Sequence, residues 1–410
     1  MKILVLSQYF WPENFRINDL VIGLKERGHS VEVLTGIPNY PHGKYFHGYS
    51  ALNKSREIYN GITVHRAPMS PRGSGSGFRL ALNFISFALF SSIFGPIFCR
   101  KRYDIIFVYE PSPITVAIPA IIMKIFTSAP IVFWMQDLWP ESLSATDAIR
   151  SKTVLKLVEL LVRLIYKGCD RILIQSEAFK PSIIHQGGEP DRIFYYPNSA
   201  DSLYQPVPFP SDCVEKSLVP DGFRVVFAGN IGAAQDFQSI ISAADMLKHH
   251  KDIHWIILGD GRMSNWVQSE ADKRGLSDTF HLLGSYPSEA MPRFFALSDV
   301  LLVTLKKEPI FALTIPSKIQ SYLACAKPIV AALDGEGARI IDEAGAGITC
   351  PAQNPAALSS AVMRVYDMTQ QERDDLGANG RKYFENHFER ELLLERLIVY
   401  LSGLKSEARE

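Results

Sequence analysis

The feature that most limits the possible fold of this chain is the regular alternation of short, continuously apolar segments with helical patterns. Aliphatic runs without polar alternation are typical of parallel strands buried on both faces, and the helices connect those strands. In the first half the predicted strands are Ile3–Leu6, Ser30–Leu34, Ile105–Val108, Ile131–Trp134 and Arg171–Ile174. In the second half they are Arg224–Ala228, Ile253–Leu258, Thr279–Leu283, Val300–Thr304, Pro328–Ala332 and Gly347–Cys350. The pattern predicts an α/β fold with two doubly wound domains.

The domain boundaries follow from the chain length and from one segment without periodicity. A chain of 410 residues is too long for a single core of usual size. Residues 201–222, rich in Pro, Ser and Asp, are predicted to form a linker. This places one Rossmann-like domain at 1–200 and a second at 223–385. The C-terminal helix, at 386–410, is expected to pack back toward the first domain.

The zero net charge of the chain hides an asymmetry between its halves. Residues 1–200 contain 22 Lys and Arg against 15 Asp and Glu, whereas residues 201–410 contain 21 against 28. A basic half suits an anionic partner, such as a membrane surface or a phosphate-bearing acceptor. No basic run with interleaved aromatic residues is present, so nucleic acid is not an expected partner. Five scattered cysteines without a C-x-x-C pair indicate a reduced protein of the cytoplasm.

A candidate anion site lies at Thr314–Lys318. Pro316 fits the first position of a helix, and Ser317 and Lys318 follow in the turn whose backbone amides lack partners within the helix. Those amides, the helix dipole and the lysine ammonium group would together hold a phosphate or diphosphate. The alternative is an ordinary helix packed on an ordinary strand.

Glycine-rich turns follow three predicted strands, at Gly229–Gly232, Gly259–Gly261 and Gly335–Gly337. Glycine lets the backbone approach a ligand closely, and open α/β sheets bind ligands at the carboxyl ends of their strands. None of the three turns matches the dinucleotide fingerprint G-x-G-x-x-G. Packing alone is the alternative explanation for such turns.

The turn after the first predicted strand, Gln8–Arg16, contains no glycine, so it offers no cradle for a dinucleotide pyrophosphate. Trp11, Glu13, Asn14 and Arg16 instead provide aromatic, amide and charged groups suited to a sugar or phosphate partner. An aromatic loop that packs the domain edge is the alternative.

Carboxylates follow two other predicted strands. Gln136 and Asp137 come after Ile131–Trp134, where Asp137 could hydrogen-bond an acceptor hydroxyl or stabilise positive charge on a sugar ring. A helix N-cap is the alternative for Asp137. Glu110 follows Ile105–Val108, with a solvated loop carboxylate as its alternative.

Residues 78–102 form a candidate membrane-associating segment. Leu80–Cys99 is mainly apolar and is flanked by basic residues, Arg79 before it and Arg100–Arg102 after it. A membrane crossing would separate parts of one sheet, so we expect a helix on the bilayer surface with its basic ends at anionic head groups. A core helix is the alternative.

The sequence offers no motif for a metal or a resident cofactor. It contains no Asp-x-Asp, no histidine cluster, no Walker loop and no nucleophile elbow. We therefore expect no metal and no cofactor.

Taken in order, six short motifs give the chain a family resemblance over essentially its whole length. They are Gly28-His29, Tyr196–Asp201, Phe227–Gly232, Leu258–Gly261, Leu283-Gly284 and Ala326–Pro328. The chain resembles the GT-B-fold, family 4 retaining glycosyltransferases. Within that family, Ser7–Asp19 and Gln136–Glu141 look like the fucosamine-type transferases of O-antigen and capsule assembly.

The resemblance implies a GT-B fold, in which two Rossmann-like domains face a central cleft. It also implies transfer, with retention and without metal, of an N-acetylated sugar such as N-acetyl-fucosamine. The implied donor is a nucleotide-sugar, UDP-linked, and the implied acceptor is a polyprenyl-diphosphate-linked saccharide. The implied location is the cytoplasmic face of the inner membrane, with the protein held there peripherally.

Several family positions have changed in this chain. The usual pair of glutamates falls on Leu313 and Ser321, and the usual Arg and Lys that hold the donor diphosphate fall on Asn230 and Gln235. The resemblance leaves Glu308 as a candidate replacement for one glutamate and Lys318 as the principal cation.

The predicted site residues fall into three groups. The donor group is Gly229, Asn230, Gly232, Gln235, Gly259, Asp260, Gly261, Ser285, Glu308, Pro316, Ser317, Lys318 and Ser321. The acceptor group is Trp11, Glu13, Asn14, Arg16, Glu110, Gln136 and Asp137. The catalytic residues are Asp137 and Lys318. A GT-B nucleotide-sugar epimerase and a non-catalytic sugar-nucleotide-binding scaffold subunit are the alternatives for the whole chain.

Overall fold

The computed structural model describes residues 1–51, 53–145, 151–208 and 213–407. The chain divides into two compact units, Met1–Pro197 with Leu394–Glu410, and Asn198–Leu393. Residues 201–222, predicted as a linker, are counted in the second unit. Val219 is buried in that unit's core, and a short helix precedes it. The C-terminal helix belongs to the first unit from Leu394 onward.

The first unit is built on an eight-stranded sheet with the order β3-β4-β2-β1-β5-β6-β7-β8. All neighbouring strands are parallel except β3 and β4, which form an antiparallel hairpin at the edge. The strands are β1 Lys2–Ser7, β2 Ser30–Gly36, β3 Arg56–Tyr59, β4 Ile62–Ala67, β5 Ile105–Glu110, β6 Ile131–Met135, β7 Arg171–Ile174 and β8 Ile193–Tyr195. The helices are α1 Arg16–Glu26, α2 Gly77–Phe98, α3 Ala117–Thr127, α4 Glu141–Ala145, α5 Lys152–Gly168 and α6 Lys180–His185.

Helix α2 differs from the usual helix of a soluble domain. Its buried positions include Asn83, Ser86, Phe87, Ser91 and Gly95, whereas six of its twelve large apolar side chains are exposed and five are half-buried. By length and composition it is the one helix among the described residues that could cross a membrane. One face of α2 packs on α3, β2 and β4 as a core helix does, whereas the opposite face carries six large apolar side chains that are exposed.

The second unit contains a six-stranded, wholly parallel sheet with the order β11-β10-β9-β12-β13-β14. Its strands are β9 Phe223–Ala228, β10 Ile253–Leu258, β11 Phe280–Gly284, β12 Val300–Thr304, β13 Ile329–Ala332 and β14 Gly347–Cys350. Its helices are α7 Val214–Leu218, α8 Phe237–Met246, α9 Ser264–Lys273, α10 Met291–Leu297, α11 Pro309–Leu313, α12 Ser317–Ala324, α13 Glu336–Ala344, α14 Pro355–Tyr366 and α15 Gln370–His387. Helix α16, Arg390–Glu407, begins in this unit.

Alternate residues of the second sheet enter two separate hydrophobic cores. On β9, Val226 and Ala228 pack in one core, whereas Val225 and Phe227 pack in the other. Both faces of the sheet are therefore buried, as the continuous apolar runs predict.

The order of strands in each sheet fixes where a ligand can bind. In the first sheet β1 lies between β2 and β5, and in the second β9 lies between β10 and β12. The chain leaves the central strands toward opposite sides, which opens a crevice at their carboxyl ends. The predicted donor loops follow β9, β10, β11 and β12, and the predicted acceptor loops follow β1, β5 and β6.

Candidate active site

Two glycine turns at the centre of the second sheet pack backbone against backbone. The amide of Gly229 donates to the carbonyl of Leu258 at 2.8 Å, and that of Ile231 donates to Asp260 at 2.9 Å. Gly259 has a φ of 136°, and a Cβ atom there would lie 1.9 Å from the carbonyl oxygen of Gly229. Only glycine fits at this approach, so the two turns act as one rigid platform.

Lys318 lies directly on this platform. Its Nζ donates to Oε1 of Gln235 at 2.7 Å and stands 3.5 Å from the centre of the Phe227 ring. A Cβ atom on Gly229 would lie 2.7 Å from Cε of the lysine, so the missing side chain at Gly229 makes room for it. Burial holds the pKa of Lys318 well below its ordinary value. The contacts of Lys318 described here are a neutral amide and an aromatic ring, and neither is a carboxylate, so an anion bound beside this lysine would counter the effect of burial and favour its charged form.

Helix α12 begins at Ser317, one residue later than the sequence predicts. Pro316 is the N-cap because its ψ of 129° is extended rather than helical, which corrects its predicted place at the first helical position. Its carbonyl accepts the amide of Ile319 at 2.9 Å. No side chain caps this end among the described residues, so the first amides, including that of Ser317, remain available beside Lys318. Ser321, one turn further on, hydrogen-bonds the carbonyl of Ser317 at 3.3 Å.

The remaining residues of the β9 and β10 turns have mixed roles. Asn230 is exposed, and its Oδ1 would lie 2.7 Å from a Cβ atom on Gly261. Gly232 begins the turn that carries Gln235, whose amide donates to the Gly232 carbonyl at 3.0 Å. Asp260 accepts from the amide of Gly261 and from the Ser264 hydroxyl, both at 2.7 Å, so its carboxylate is engaged in a local turn.

Two residues of the predicted donor group lie at neighbouring strand ends. Ser285 is exposed directly after β11, and the carbonyl of the preceding Gly284 accepts the amide of Gly259 at 2.7 Å. Glu308 is exposed after β12 and lines a pocket of about 430 Å³. The amide of Lys306, in the same pocket, donates to the carbonyl of Ala234 at 2.9 Å. The pocket is therefore connected to the loop that carries Gln235.

The sequence-based prediction missed several residues of that pocket, namely Leu305, Lys306, Lys307, Phe311, Leu333 and Asp334. A usable signal was present, since Lys306-Lys307 directly follows the end of β12, the strand beside β9. Phe311 could not have been assigned in this way, because it reaches the pocket only through the fold of the short helix α11.

In the first unit, Glu13 is almost fully buried and joins two loops. Its Oε1 accepts the amides of Asn39 and Tyr40, both at 2.7 Å, and its Oε2 accepts the amide of Phe10 at 3.2 Å. Burial outweighs these hydrogen bonds and raises the pKa of Glu13 to about 7. The side chain therefore fixes the loops that follow β1 and β2.

The other three predicted residues of the first loop have surroundings that differ from those of Glu13. Trp11 stacks on Tyr59 of β3 with ring centroids 5.0 Å apart, which is the edge-packing alternative. Asn14 is exposed, and Arg16 is half-buried at the start of α1. The charge of Arg16 lowers the pKa of Tyr109 against the larger effect of burial, so Arg16 lies toward the end of β5.

Glu110 and Asp137 form a carboxyl pair at the ends of β5 and β6. Glu110 is fully buried, which corrects the alternative of a solvated loop carboxylate. Its Oε2 accepts the amide of Asp137 at 3.3 Å, and its carbonyl accepts the amide of Gln136 at 2.9 Å. Burial and the charge of Asp137 raise the pKa of Glu110 well above its ordinary value.

Asp137 is held by side chains rather than by a helix terminus, so the N-cap alternative does not apply. Its Oδ2 accepts the indole N–H of Trp139 at 3.1 Å. Burial raises the pKa of Asp137, against hydrogen bonds from Ser142, Trp139 and Ser112. Oε1 of Glu110 and Nε2 of Gln136 are buried without hydrogen-bond partners among the described residues. Two buried carboxyl groups with raised pKa values are suited to proton transfer or to stabilising positive charge.

No group of three or more His, Cys, Asp or Glu side chains within the described part of the chain is arranged to hold a metal ion. The two candidate sites are the glycine platform with Lys318, at the centre of the second sheet, and the carboxyl pair of Glu110 and Asp137, at the ends of β5 and β6 in the first sheet.

Comparison with family models matches both units. Residues 14–199 match the "Glycosyl transferase 4-like domain", and residues 214–383 match "Glycosyl transferases group 1". This chain belongs to the group 1 glycosyltransferases. The enzyme is 27% identical to "Probable glycosyltransferase WbjE" of Pseudomonas aeruginosa, over 68% of this chain and 69% of that one. It is also 27% identical to "Putative colanic acid biosynthesis glycosyl transferase WcaI" of Escherichia coli K12, over 79% and 81% of the two chains.

The fold of the enzyme is GT-B, as the sequence predicts. The crystal structure of Anabaena HepE in complex with UDP superposes on it with a TM-score of 0.72, at 17% identity. The superposition covers 98% of this chain and 100% of HepE. A likeness at this identity concerns the fold alone.

Proposed function

We propose that this glycosyltransferase moves a sugar from a UDP-linked donor to a polyprenyl-diphosphate-linked saccharide during assembly of a bacterial surface polysaccharide such as O-antigen or capsule. The observation that carries the proposal is Lys318, whose ammonium group lies on the glycine platform beside the open end of α12. Such a place binds a diphosphate. HepE, which has the same fold, binds UDP, which supports the nucleotide.

In the proposed reaction, the bond between the sugar C1 and the donor phosphate breaks, and a bond from C1 to an acceptor hydroxyl oxygen forms with retention. Negative charge grows on the departing UDP, and the acceptor proton passes to its phosphate oxygen. Fixed donors at that position lower the barrier because they need no reorganisation as the charge develops. Lys318 and the first amides of α12 are these donors, and the reaction needs no metal or other cofactor.

The pocket beside Glu308 is the proposed place for the rest of the donor. It lies after β12 and is joined to the Gln235 loop, and it combines Lys306, Lys307 and Glu308 with an apolar wall. Polar groups on an apolar wall suit a sugar or a ribose, which has both hydroxyl groups and an apolar face. Glu308 there replaces one of the carboxylates lost at Leu313 and Ser321.

Asp137 is the proposed catalytic carboxylate of the first unit, and Glu110 positions it. An ionised Asp137 would stabilise the positive charge that develops on the sugar ring, or would accept a hydrogen bond from the acceptor hydroxyl. Glu110 fixes the main chain of Asp137 through its amide and that of Gln136. Arg16 and Asn14 are proposed to contact the acceptor, since they lie at the start of α1 beside the same strand ends.

Membrane association completes the proposal. A polyprenyl-linked acceptor resides in the bilayer, and α2 presents six large apolar side chains to the exterior. We place the enzyme at the cytoplasmic face of the inner membrane, with α2 lying on the lipid surface.

The test is incubation of the enzyme with a panel of UDP-sugars, N-acetyl-fucosamine among them, and a short polyprenyl-diphosphate-linked sugar. We expect one donor to increase the mass of the acceptor by a single sugar, with UDP released in equal amount. Isomerisation of the donor without acceptor would favour a nucleotide-sugar epimerase instead. Tight UDP binding without turnover of any donor would favour a non-catalytic subunit. The Lys382→Gln variant, which changes an exposed lysine of the second unit, is the matched control for each Lys318 variant.

A further inference from the structure

The apolar surface of the first unit extends well beyond α2. Nineteen large hydrophobic side chains are exposed among the described residues, and twelve of them lie on α2, α3 and α5. Six are on α2, namely Phe78, Leu82, Ile85, Leu89, Ile93 and Ile97. Two are at the end of α3, Ile125 and Phe126, and four are on α5, namely Val154, Leu157, Leu160 and Leu164. We refer to these twelve side chains as the three-helix surface.

The topology places these helices in one layer. Helices α2, α3 and α5 connect β4 to β5, β5 to β6 and β6 to β7, and each connection moves in the same direction across the sheet. Right-handed crossovers in one direction put their helices on the same face. In agreement, α2 packs against α3 and α3 packs against α5. The sides of these helices that face away from the sheet therefore share one orientation.

The charges around the three-helix surface are almost all positive. Its three helices contain a single acidic residue, Glu159. Seven exposed basic residues accompany the apolar side chains. They are Arg79 in the first turn of α2, Arg100 and Arg102 after its end, and Lys152, Lys156, Arg163 and Lys167 on α5. None of these seven side chains has an ion-pair or hydrogen-bond partner within the described residues.

A basic pocket lies at one end of the surface. It has a volume of about 690 Å³ and is lined by Arg100, Arg102, Phe126, Thr127 and Ser128, among others. The neighbouring Lys101 is already paired with Glu32, whereas the guanidinium groups of Arg100 and Arg102 are not paired. Two free guanidinium groups beside an exposed aromatic ring suit the phosphate of a lipid headgroup, with the ring in the acyl region.

We propose that α5 and the end of α3 bind the bilayer together with α2, which rests on the proposed membrane association of the enzyme. The pocket at Arg100 and Arg102 then takes the phosphate headgroup of an anionic phospholipid. An anionic bilayer fits both the apolar stripes and the unpaired cations. A second copy of the chain does not, because two such basic faces repel each other. The first unit then lies with its α2–α3–α5 layer flat on the membrane.

The experiment measures binding of the full-length enzyme to vesicles of phosphatidylglycerol with phosphatidylcholine, and to vesicles of phosphatidylcholine alone. The test variant carries Leu157→Ser, Leu160→Ser and Leu164→Ser, and a second variant carries the same change at Ile85, Leu89 and Ile93. The control carries Ile58→Ser, Met246→Ser and Val399→Ser, which are exposed apolar side chains outside the three-helix surface. UDP affinity and melting temperature report that each variant is folded.

We expect the α5 variant to bind anionic vesicles at least about tenfold more weakly than the control. A charge variant, Arg100→Gln with Arg102→Gln, should lose the preference for phosphatidylglycerol and keep its melting temperature. Control-like binding by the α5 variant, with loss only in the α2 variant, overturns the inference and leaves the proposed association through α2 in place. Failure of the unaltered enzyme to bind any vesicle overturns both. Conversion of a dimer to a monomer by the α5 variant, with unchanged vesicle binding, shows an interface between copies and also overturns the inference.

Discussion

The ammonium group of Lys318 and the amide of Gln235 occupy one place, and this makes a reciprocal exchange informative. The two groups are 2.7 Å apart, so a lysine at either position could bring its charge to nearly the same point on the glycine platform. We expect Lys318→Gln to lose donor turnover. We expect the double variant, Lys318→Gln with Gln235→Lys, to recover a large part of it.

The size of the loss follows from Coulomb's law. A unit charge about 4 Å from a phosphate oxygen contributes about 4 kcal/mol at an effective dielectric constant of about 20. Although burial of its ammonium group lowers the pKa of Lys318, the residue as a whole is half-buried, and water at its exposed part reduces this contribution, so about 2–4 kcal/mol is expected. This corresponds to roughly a 30-fold to 1000-fold decrease in kcat/KM for Lys318→Gln. Recovery of at least about tenfold in the double variant corresponds to restoring about 1.4 kcal/mol of this interaction.

The assay is release of UDP in the presence of acceptor, with kcat and KM determined for each variant and for the Lys382→Gln control. If the interaction is made mainly as charge develops on the leaving group, kcat decreases more than KM rises. A Lys318→Gln enzyme with the kinetics of the control would refute the role of this lysine. A double variant as inactive as the single one, with its fold and melting temperature intact, would refute the claim that a lysine at position 235 can place its charge where Lys318 does.

Three further predictions concern single residues. The pKa of Glu13 is raised to about 7 from its ordinary 4.5, so the folded state binds this proton more tightly than the unfolded chain does. The contribution of Glu13 to the unfolding free energy therefore falls by about 3 kcal/mol as the pH rises from 4.5 to about 7. Glu13→Gln should flatten the dependence in denaturant titrations, and a curve parallel to wild type would contradict this. Gly259→Ala should lower the unfolding free energy by about 1–3 kcal/mol and weaken UDP binding, whereas Gly275→Ala, at a positive φ with open space around it, should leave UDP binding unchanged. Asp137→Asn should lower kcat by about 100-fold with little change in UDP affinity, and an unchanged kcat in a pH-rate series would exclude its catalytic role.

The strongest sequence signals concerned the sheets, because continuous apolar runs leave few alternatives to buried parallel strands. The predicted strands of both halves are present, most of them within one or two residues of their predicted bounds. The β3–β4 hairpin was missed because Arg56–Tyr59 is a short edge strand that is only partly buried, and because His65 and Arg66 interrupt the apolar run of β4. The three-residue strand β8 at the other edge was missed as well.

Helix α15 was missed for a different reason, since it contains few apolar residues and two glycines that disfavour a helix. Those glycines are required by packing against the chain around α12. A Cβ atom on Gly377 would lie 2.3 Å from the carbonyl oxygen of Ala326, and one on Gly380 would lie 3.0 Å from the Leu323 side chain. Its N-terminal signal was nevertheless present, because Thr369 and Glu372 form a capping box.

The predicted donor group could be located from sequence because each member follows a strand of one sheet, β9, β10 or β12 at its centre or β11 at its edge. Its internal contacts could not, because the pairing of Lys318 with Gln235 and Phe227 joins residues far apart in the chain. The role of Glu13 was hidden for a related reason. Its three amide contacts come partly from the loop after β2, whose position depends on the fold of the sheet.

Calorimetric titration of the enzyme and of its Lys318→Gln variant with UDP and with uridine tests the central claim most directly. If the glycine platform, the start of α12 and Lys318 hold the donor diphosphate, UDP binds far more tightly than uridine. We expect most of that difference to disappear in the variant, while uridine binding stays the same. Equal affinities for UDP and uridine, or UDP affinity unaffected by Lys318→Gln, would contradict the account of the donor site.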